Sequence, residues 1–279
     1  MKYLLFLLVL IATKLNAQSN LEFNKRFVES EDKWVAFQQD ENDSHPYGFI
    51  YIDSDAGLTL NYQGTFKITA TGEFIPTKLD STSIKVRLKP NNVLVAFIPE
   101  NKFSELKIDS IPNWLKYYKT DEESIERLYK WGYMYNGWNE CKKALTFLEK
   151  AEKINPKYKG LAVELAFSYN CLKQYDKAEH ILEEDIRINS SDAYVSKEYI
   201  FTLTKNNKIN LAIQQYNTAK KTILDKQYDA ENCFNILQYF YVQKDNEDFN
   251  KWYEELSKLD IQNKMIRDYA DRMKEDLNK

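Results

Sequence analysis

Glycine and proline are scarce, with 7 and 6 in 279 residues. That scarcity excludes a collagen-like or a Gly/Pro-rich low-complexity chain. The 20 Tyr, 15 Phe and 5 Trp supply rings to bury, which a disordered chain lacks. The few glycines are scattered, so no phosphate-cradling loop can be drawn through them. Long apolar runs are missing beyond the first 17 residues, which argues against a polytopic membrane protein. Charge of one sign is also missing: 39 Lys+Arg face 42 Asp+Glu, and no basic groove for nucleic acid is indicated. Only two histidines, His45 and His180, are present, and both read as surface residues. Neither has a Ser or Cys at motif spacing, and Gly-x-Ser-x-Gly is absent. There is no Cys-x-x-Cys and no His-Glu-x-x-His. Asp53-Ser-Asp55-Ala-Gly57 starts like a calcium loop, but its twelfth position is Gly64, which has no carboxylate to give. It reads as an Asp-rich turn. Glu183-Glu184-Asp185 reads as a solvated helix face. No cofactor, metal or catalytic residue is expected.

The chain opens on a leader. Lys2 precedes an apolar run from Leu4 to Ala12, and Leu15-Asn16-Ala17 ends in a small residue. This is the pattern of a secretory signal peptide over residues 1–17, cleaved after Ala17. The apolar run is too short for a membrane anchor, and no Cys follows it to carry a lipid. Cleavage takes Lys2 and Lys14 and moves the formal charge from -3 to -5. The expected address is the periplasm or the exterior, with no membrane insertion after cleavage. Three cysteines remain, so at most one internal bridge can form and a disulfide framework is excluded.

Residues 18–119 read as a β-rich domain with a linker. Trp34–Phe37, Tyr47–Ile52, Leu58–Tyr62, Thr65–Thr69, Ile84–Leu88 and Val93–Ile98 are strand segments, several alternating apolar and polar. Thr71-Gly72 and Pro90-Asn91-Asn92 supply turns. A sheet of five or six strands is expected, with Val93–Ile98 central and Leu21–Val28 a short helix. Ile111–Leu115 reads as a linker whose Trp114 packs between two halves.

From Ser124 onward the period becomes helical, and Pro156 is the only proline after Pro112. Ala144, Ala178 and Ala212 are spaced by 34. So are Tyr133, Phe167 and Phe201, and so are Leu148, Leu182 and Tyr216. Leu128–Tyr135, Ala144–Leu148, Ala151 and Pro156 together resemble one tetratricopeptide unit, a helix-turn-helix of that period. The resemblance implies units over 125–158, 159–192 and 193–226, a degenerate unit over 227–260 and a capping helix over 261–279. Gly132 stands where a small residue lets paired helices approach, and Ile200 departs from that pattern. In the tail, Ile261, Met265, Tyr269, Met273 and Leu277 read as one apolar stripe. The expected fold class is α+β: a small β-rich domain, then an α-helical solenoid. The plan resembles short secreted tetratricopeptide proteins of Bacteroidota-type bacteria.

Stacked units would bring the start of one second helix near the end of the next first helix. A Cys141–Cys171 bridge is then open to the chain if the Cα atoms approach within about 7 Å; buried thiols are the other reading. The resemblance also implies that first helices line a concave face. Groove-facing positions would be Tyr129, Tyr133 and Asn136, then Val163, Phe167 and Asn170, then Tyr194, Lys197, Phe201 and Lys205. Rings with adjacent amides suit an extended peptide; the same rings suit an inter-repeat core, and both readings stand at this level. The clamp by which some tetratricopeptide proteins hold a terminal carboxylate is not matched, because Tyr129 and Tyr133 occupy its places. The function expected is a non-catalytic interaction or scaffold protein with a protein or peptide partner. Alternatives are a structural subunit of an envelope assembly, or an enzyme sited in the β-rich half, where no cluster of polar groups marks a cleft.

Overall fold

A computed structural model describes residues 21–78, 84–261 and 263–277. The leader lies outside the described residues. The class is α+β, and the chain divides into one unit up to Thr120 and a second from Asp121.

The first unit is an antiparallel sheet of seven strands among the described residues. They are β1 (Lys25–Arg26), β2 (Lys33–Ala36), β3 (His45–Asp53), β4 (Gly57–Ile68), β5 (Phe74–Lys78), β6 (Ile84–Arg87) and β7 (Leu94–Phe97). The order is β1-β7-β2-β3-β4, with β5 and β6 sharing the far edge of β4. The run around Val93–Ile98 is flanked on both sides, as a central strand should be. Leu21–Val28 is not a helix: it runs into β1 and a single 3-10 turn, Phe27–Glu29. Leu58–Tyr62 and Thr65–Thr69 are not two strands but one. Gly48 pairs Tyr62 and Tyr47 pairs Gly64, so Gln63 is a one-residue bulge, and Gly64 takes a φ of 139° there. β5 escapes the sequence pattern because Pro76 interrupts it; Pro is tolerated there because β5 is an edge strand.

Alternate residues of the central strands make one core layer: Trp34, Ala36, Tyr47, Phe49, Tyr51 and Phe66. Leu106 of the short helix α1 (Phe103–Leu106) and Leu115 pack on it. Glu105 fastens α1 to β5 by accepting from the Phe74 amide at 2.6 Å. Trp114 is a core residue of this layer, its ring 5.0 Å from Tyr51 and 5.8 Å from Phe49. His45 is buried, against the surface reading. Its Nδ1 lies 2.8 Å from the Phe37 carbonyl, and its ring stacks on Phe23 and Phe66. The Asp53 carboxylate accepts from the Asp55 and Ala56 amides, so this segment is a hairpin turn, as its Asp-rich sequence reads.

The second unit is helical, with its helices in a tetratricopeptide-like arrangement. Helices α2 (Ile125–Gly137) and α3 (Cys141–Ile154), α4 (Leu161–Cys171) and α5 (Tyr175–Ile188), α6 (Ala193–Lys205) and α7 (Ile209–Thr222), and α8 (Asp229–Gln243) and α9 (Asn246–Ser257) form four pairs. Helix α10 (Lys264–Leu277) packs on α8. The first helix of each pair also packs on the first helix of the next. Ser124, Asp192 and Asp245 cap α2, α6 and α9 with side-chain oxygens. Each pair turns through one left-handed residue: Asn139, Lys173, Asn207 and Lys244. The next amide then closes back on the first helix, as Glu140 does on the Tyr135 carbonyl at 2.9 Å. The first three turn residues are 34 apart; Lys244 follows after 37, so three inserted residues take the last pair out of register.

Ala144, Ala178 and Ala212 each sit fourth in a second helix and are fully buried. Gly132 of α2 faces Leu148 of α3, and a Cβ at Gly132 would stand 2.3 Å from that side chain. Leu148 is itself fully buried and has nowhere to retreat. Gly132→Ala is therefore expected to cost about 1–3 kcal/mol through overpacking, read as a lowered urea midpoint. An unchanged midpoint would mean that the two helices slide apart freely.

The tail stripe differs from its sequence pattern. Ile266, Ala270, Met273 and Leu277 pack inward, while Met265 and Tyr269 are exposed. A strict spacing of four drifts about 40° per step around a helix of 3.6 residues per turn, whereas spacings of four and three alternate back to one side.

Candidate protein-interaction site

The first helices α2, α4, α6 and α8 present one continuous face. Its polar backbone is a ladder that repeats every 34 residues. Asn136 donates from Nδ2 to the Glu164 carboxylate at 2.8 Å and to the Glu164 carbonyl at 2.9 Å. The Ser168 hydroxyl donates to Asn136 Oδ1 at 2.6 Å. One rung on, Asn170 donates to Glu198 at 3.0 Å and accepts from Thr202 at 3.0 Å. Asn136 and Asn170 are thus buried and spent between helices, and Val163 is buried beside them. These three do not face a groove. A buried amide must bond, and a buried carboxylate needs donors, so each satisfies the other across the helix interface.

Glu164 and Glu198 were not among the expected site residues. Their signal was available: a Glu in the apolar run Val163–Ala166, matched 34 residues later. Both are almost wholly buried, at 2% and 3% exposure. Glu198 has a cation beside it, Lys197 at 2.7 Å. Glu164 is preceded instead by Val163. Burial therefore pushes the Glu164 carboxyl up to about 7; the Asn136 bond works against this, Glu198 adds to it, and Tyr194 and Lys197 oppose it.

Lys197 lies inside this face rather than on it, with its side chain 13% exposed. Its ammonium stands over three rings, Tyr194 at 5.0 Å, Tyr228 at 5.4 Å and Phe167 at 6.0 Å. Glu231 closes the cage at 3.6 Å. Burial disfavours the ammonium, but Glu198 and Glu231 outweigh burial and hold its pKa above the ordinary lysine value. Tyr133 is 57% exposed, and Tyr129, Phe167, Tyr194 and Phe201 are half-buried. Tyr129 packs on Tyr158 at 5.2 Å and Tyr133 at 6.4 Å. Burial pushes the Tyr129 hydroxyl up to about 12, with Glu164 adding to the shift. Phe201 contacts Tyr175 at 6.4 Å, and Lys205 stands over Phe201 and donates to Gln238 at 3.3 Å. Tyr228, which precedes α8, and Glu231 within it complete the cage from beyond the three regular repeats.

Beside this face, Cys141 at the start of α3 and Cys171 at the end of α4 are joined by a disulfide with Cα atoms 6.3 Å apart. Cys233 is a free, buried thiol. Among the described residues, no cluster of three His, Cys, Asp or Glu side chains could hold a metal. None of the described helices is long and apolar enough to cross a membrane.

No family model matches the sequence, and no curated protein matches it. Solved structures do. YrrB, described as a TPR protein with an unusual peptide-binding site, is 16% identical over 55% of this chain and 76% of its own, with a TM-score of 0.46. MamA of MSR-1 is 16% identical over 51% of this chain and 80% of its own, with a TM-score of 0.43. A tetratricopeptide repeat protein of Parabacteroides merdae ATCC 43184 is 14% identical over 62% of each chain, also at 0.43. Similarity at this level transfers neither a partner nor an activity.

Proposed function

We propose that the chain is a non-catalytic interaction protein of the bacterial envelope or exterior, which holds an extended segment of a partner protein on the face of its first helices. The observation that carries this reading is the aromatic patch on α2, α4 and α6, with Tyr133 standing 57% exposed at its edge. Large rings cost little rotamer entropy when they are covered, which suits them to gripping another chain. The address is supported by the leader pattern and by the Cys141–Cys171 disulfide, since such bonds persist in oxidising compartments.

The test is a photo-crosslinking residue placed at position 133 and, as control, at the exposed Glu184 on α5. An adduct with a partner protein from position 133 and none from position 184 is expected in cells. Adducts from both, or from neither, overturn the reading. Tyr133→Ala should leave the melting temperature nearly unchanged, because exposed substitutions cost within about 0.5 kcal/mol, while capture of the crosslinked partner falls. A large drop in melting temperature would return Tyr133 to the core.

A further inference from the structure

Lys205 is the last residue of α6, one turn beyond Phe201, where the 34-residue row of rings from Tyr133 ends. Lys197, Lys208 and Lys220 each pair with a glutamate. Among the described residues Lys205 pairs with none, and no neighbouring charge acts on it. Yet its side chain is half-buried, where an ammonium ordinarily calls for a counter-charge. The ammonium stands 5.2 Å from the centre of the Phe201 ring and donates to the Gln238 side-chain oxygen at 3.3 Å. That bond is long and its acceptor is neutral, so it offsets little of the cost of burial. The carbonyl end of α6 favours a cation and helps the lysine stay charged. Gln238 reaches Lys205 from α8. Its oxygen is spent on the ammonium, and its Nε2 group has no acceptor among the described residues. An ammonium and an amide donor are thus presented together, on two residues that each keep part of their surface in solvent.

Resting on the reading of this face as the binding surface, we propose that Lys205 receives the carboxylate of an aspartate or glutamate side chain from the partner segment, with Gln238 as the second donor and Phe201 against the stem of that side chain. Charge complementarity argues for it. The half-buried ammonium has a ring, a neutral amide and a helix end around it, and lacks only an anion. A carboxylate has two oxygens and can accept from both donors, and its bond to the ammonium is charge-assisted where the present one is not. The ammonium is already held over a ring, so little side-chain freedom is lost when the anion arrives. The source is a side chain rather than a chain terminus, because Tyr129 and Tyr133 stand where a terminal-carboxylate clamp would place its polar groups.

The experiment uses the full chain, isotope-labelled at its lysine side chains and glutamine amides, and follows Lys205 and Gln238 by magnetic resonance. The probes are acetyl-Ala-Ala-Glu-Ala-Ala-amide, the same peptide carrying glutamine, and acetyl-Ala-Ala-Ala-Ala with a free carboxyl end. The glutamate peptide is expected to move both signals and to saturate, while the glutamine peptide leaves them in place. Lys205→Met should weaken the glutamate peptide about tenfold or more, read at Gln238. Its melting temperature should hold or rise, because an unpaired half-buried charge has gone. Lys205→Glu should turn the preference toward acetyl-Ala-Ala-Lys-Ala-Ala-amide. Equal responses to the glutamate and glutamine peptides overturn the proposal, as does the free-ended peptide binding tenfold more tightly than the glutamate peptide. A lowered melting temperature in Lys205→Met with peptide binding retained returns Lys205 to a structural role. If the position-133 crosslink to the cellular partner forms and both Lys205→Met and Lys205→Glu leave it undiminished, the carboxylate site fails while the face survives. If no crosslink forms and no peptide moves a signal, both fail together.

Discussion

Glu164→Gln is expected to leave stability unchanged below about pH 4.5 and to raise it by up to about 3 kcal/mol at pH 8. The folded chain holds this carboxyl at about 7, against an ordinary value of 4.5. A raised acid binds its proton more tightly folded than unfolded. Between 4.5 and 7 the native state therefore carries more protons, and stability falls as pH rises through that window. Above it the penalty is complete, because an ionised carboxylate sits 2% exposed and its Asn136 bond and the nearby Lys197 charge only partly offset burial. Gln has the shape of the protonated acid and still accepts from Asn136. Urea melts of both proteins from pH 4.5 to 8.5 would show converging curves at the acid end; curves parallel throughout would refute the assignment.

Removing the disulfide is expected to cost about 3–4 kcal/mol. Cys141 and Cys171 close a loop of 30 residues, and opening it returns loop-closure entropy to the unfolded chain. The double variant Cys141→Ser, Cys171→Ser should show a correspondingly lower urea midpoint, and the parent in dithiothreitol should match it. Cys141 is nearly buried, so its serine adds a small desolvation cost of its own. Agreement between reduced parent and double variant separates the bridge from that cost. No change in either would mean that the α3–α4 packing alone holds the first two pairs in register.

The helical half was legible because its signals are local and repeated. Ala144, Ala178 and Ala212 recur at the one period that stacks helix pairs, and a residue forced to be small by a close crossing leaves the same mark each time. The sheet was legible where its strands alternate, and not where the chain departs from alternation: at the Gln63 bulge and at Pro76 on the edge. His45 was misread because a polar sequence neighbourhood says nothing about Phe23 and Phe66, which reach it from other strands and loops.

Asn136 and Asn170 make the same point at the candidate site. Their spacing marked them as a row, and the row is real, but spacing cannot tell a partner's backbone from a neighbouring helix. Only the packing of α2 on α4 and α4 on α6 brings Glu164 and Glu198 within 2.8 and 3.0 Å of them. Sequence by itself determined the α+β class, the 34-residue beat and the identity of the rings, because these follow from residue type and periodicity along one chain. Tertiary structure alone decided which of those rings stay open, which amides are consumed, and that Glu164 and Glu198 are buried between helices against Asn136 and Asn170. Those outcomes depend on burial and on distances between helices, and neither is written in the order of residues along any single helix.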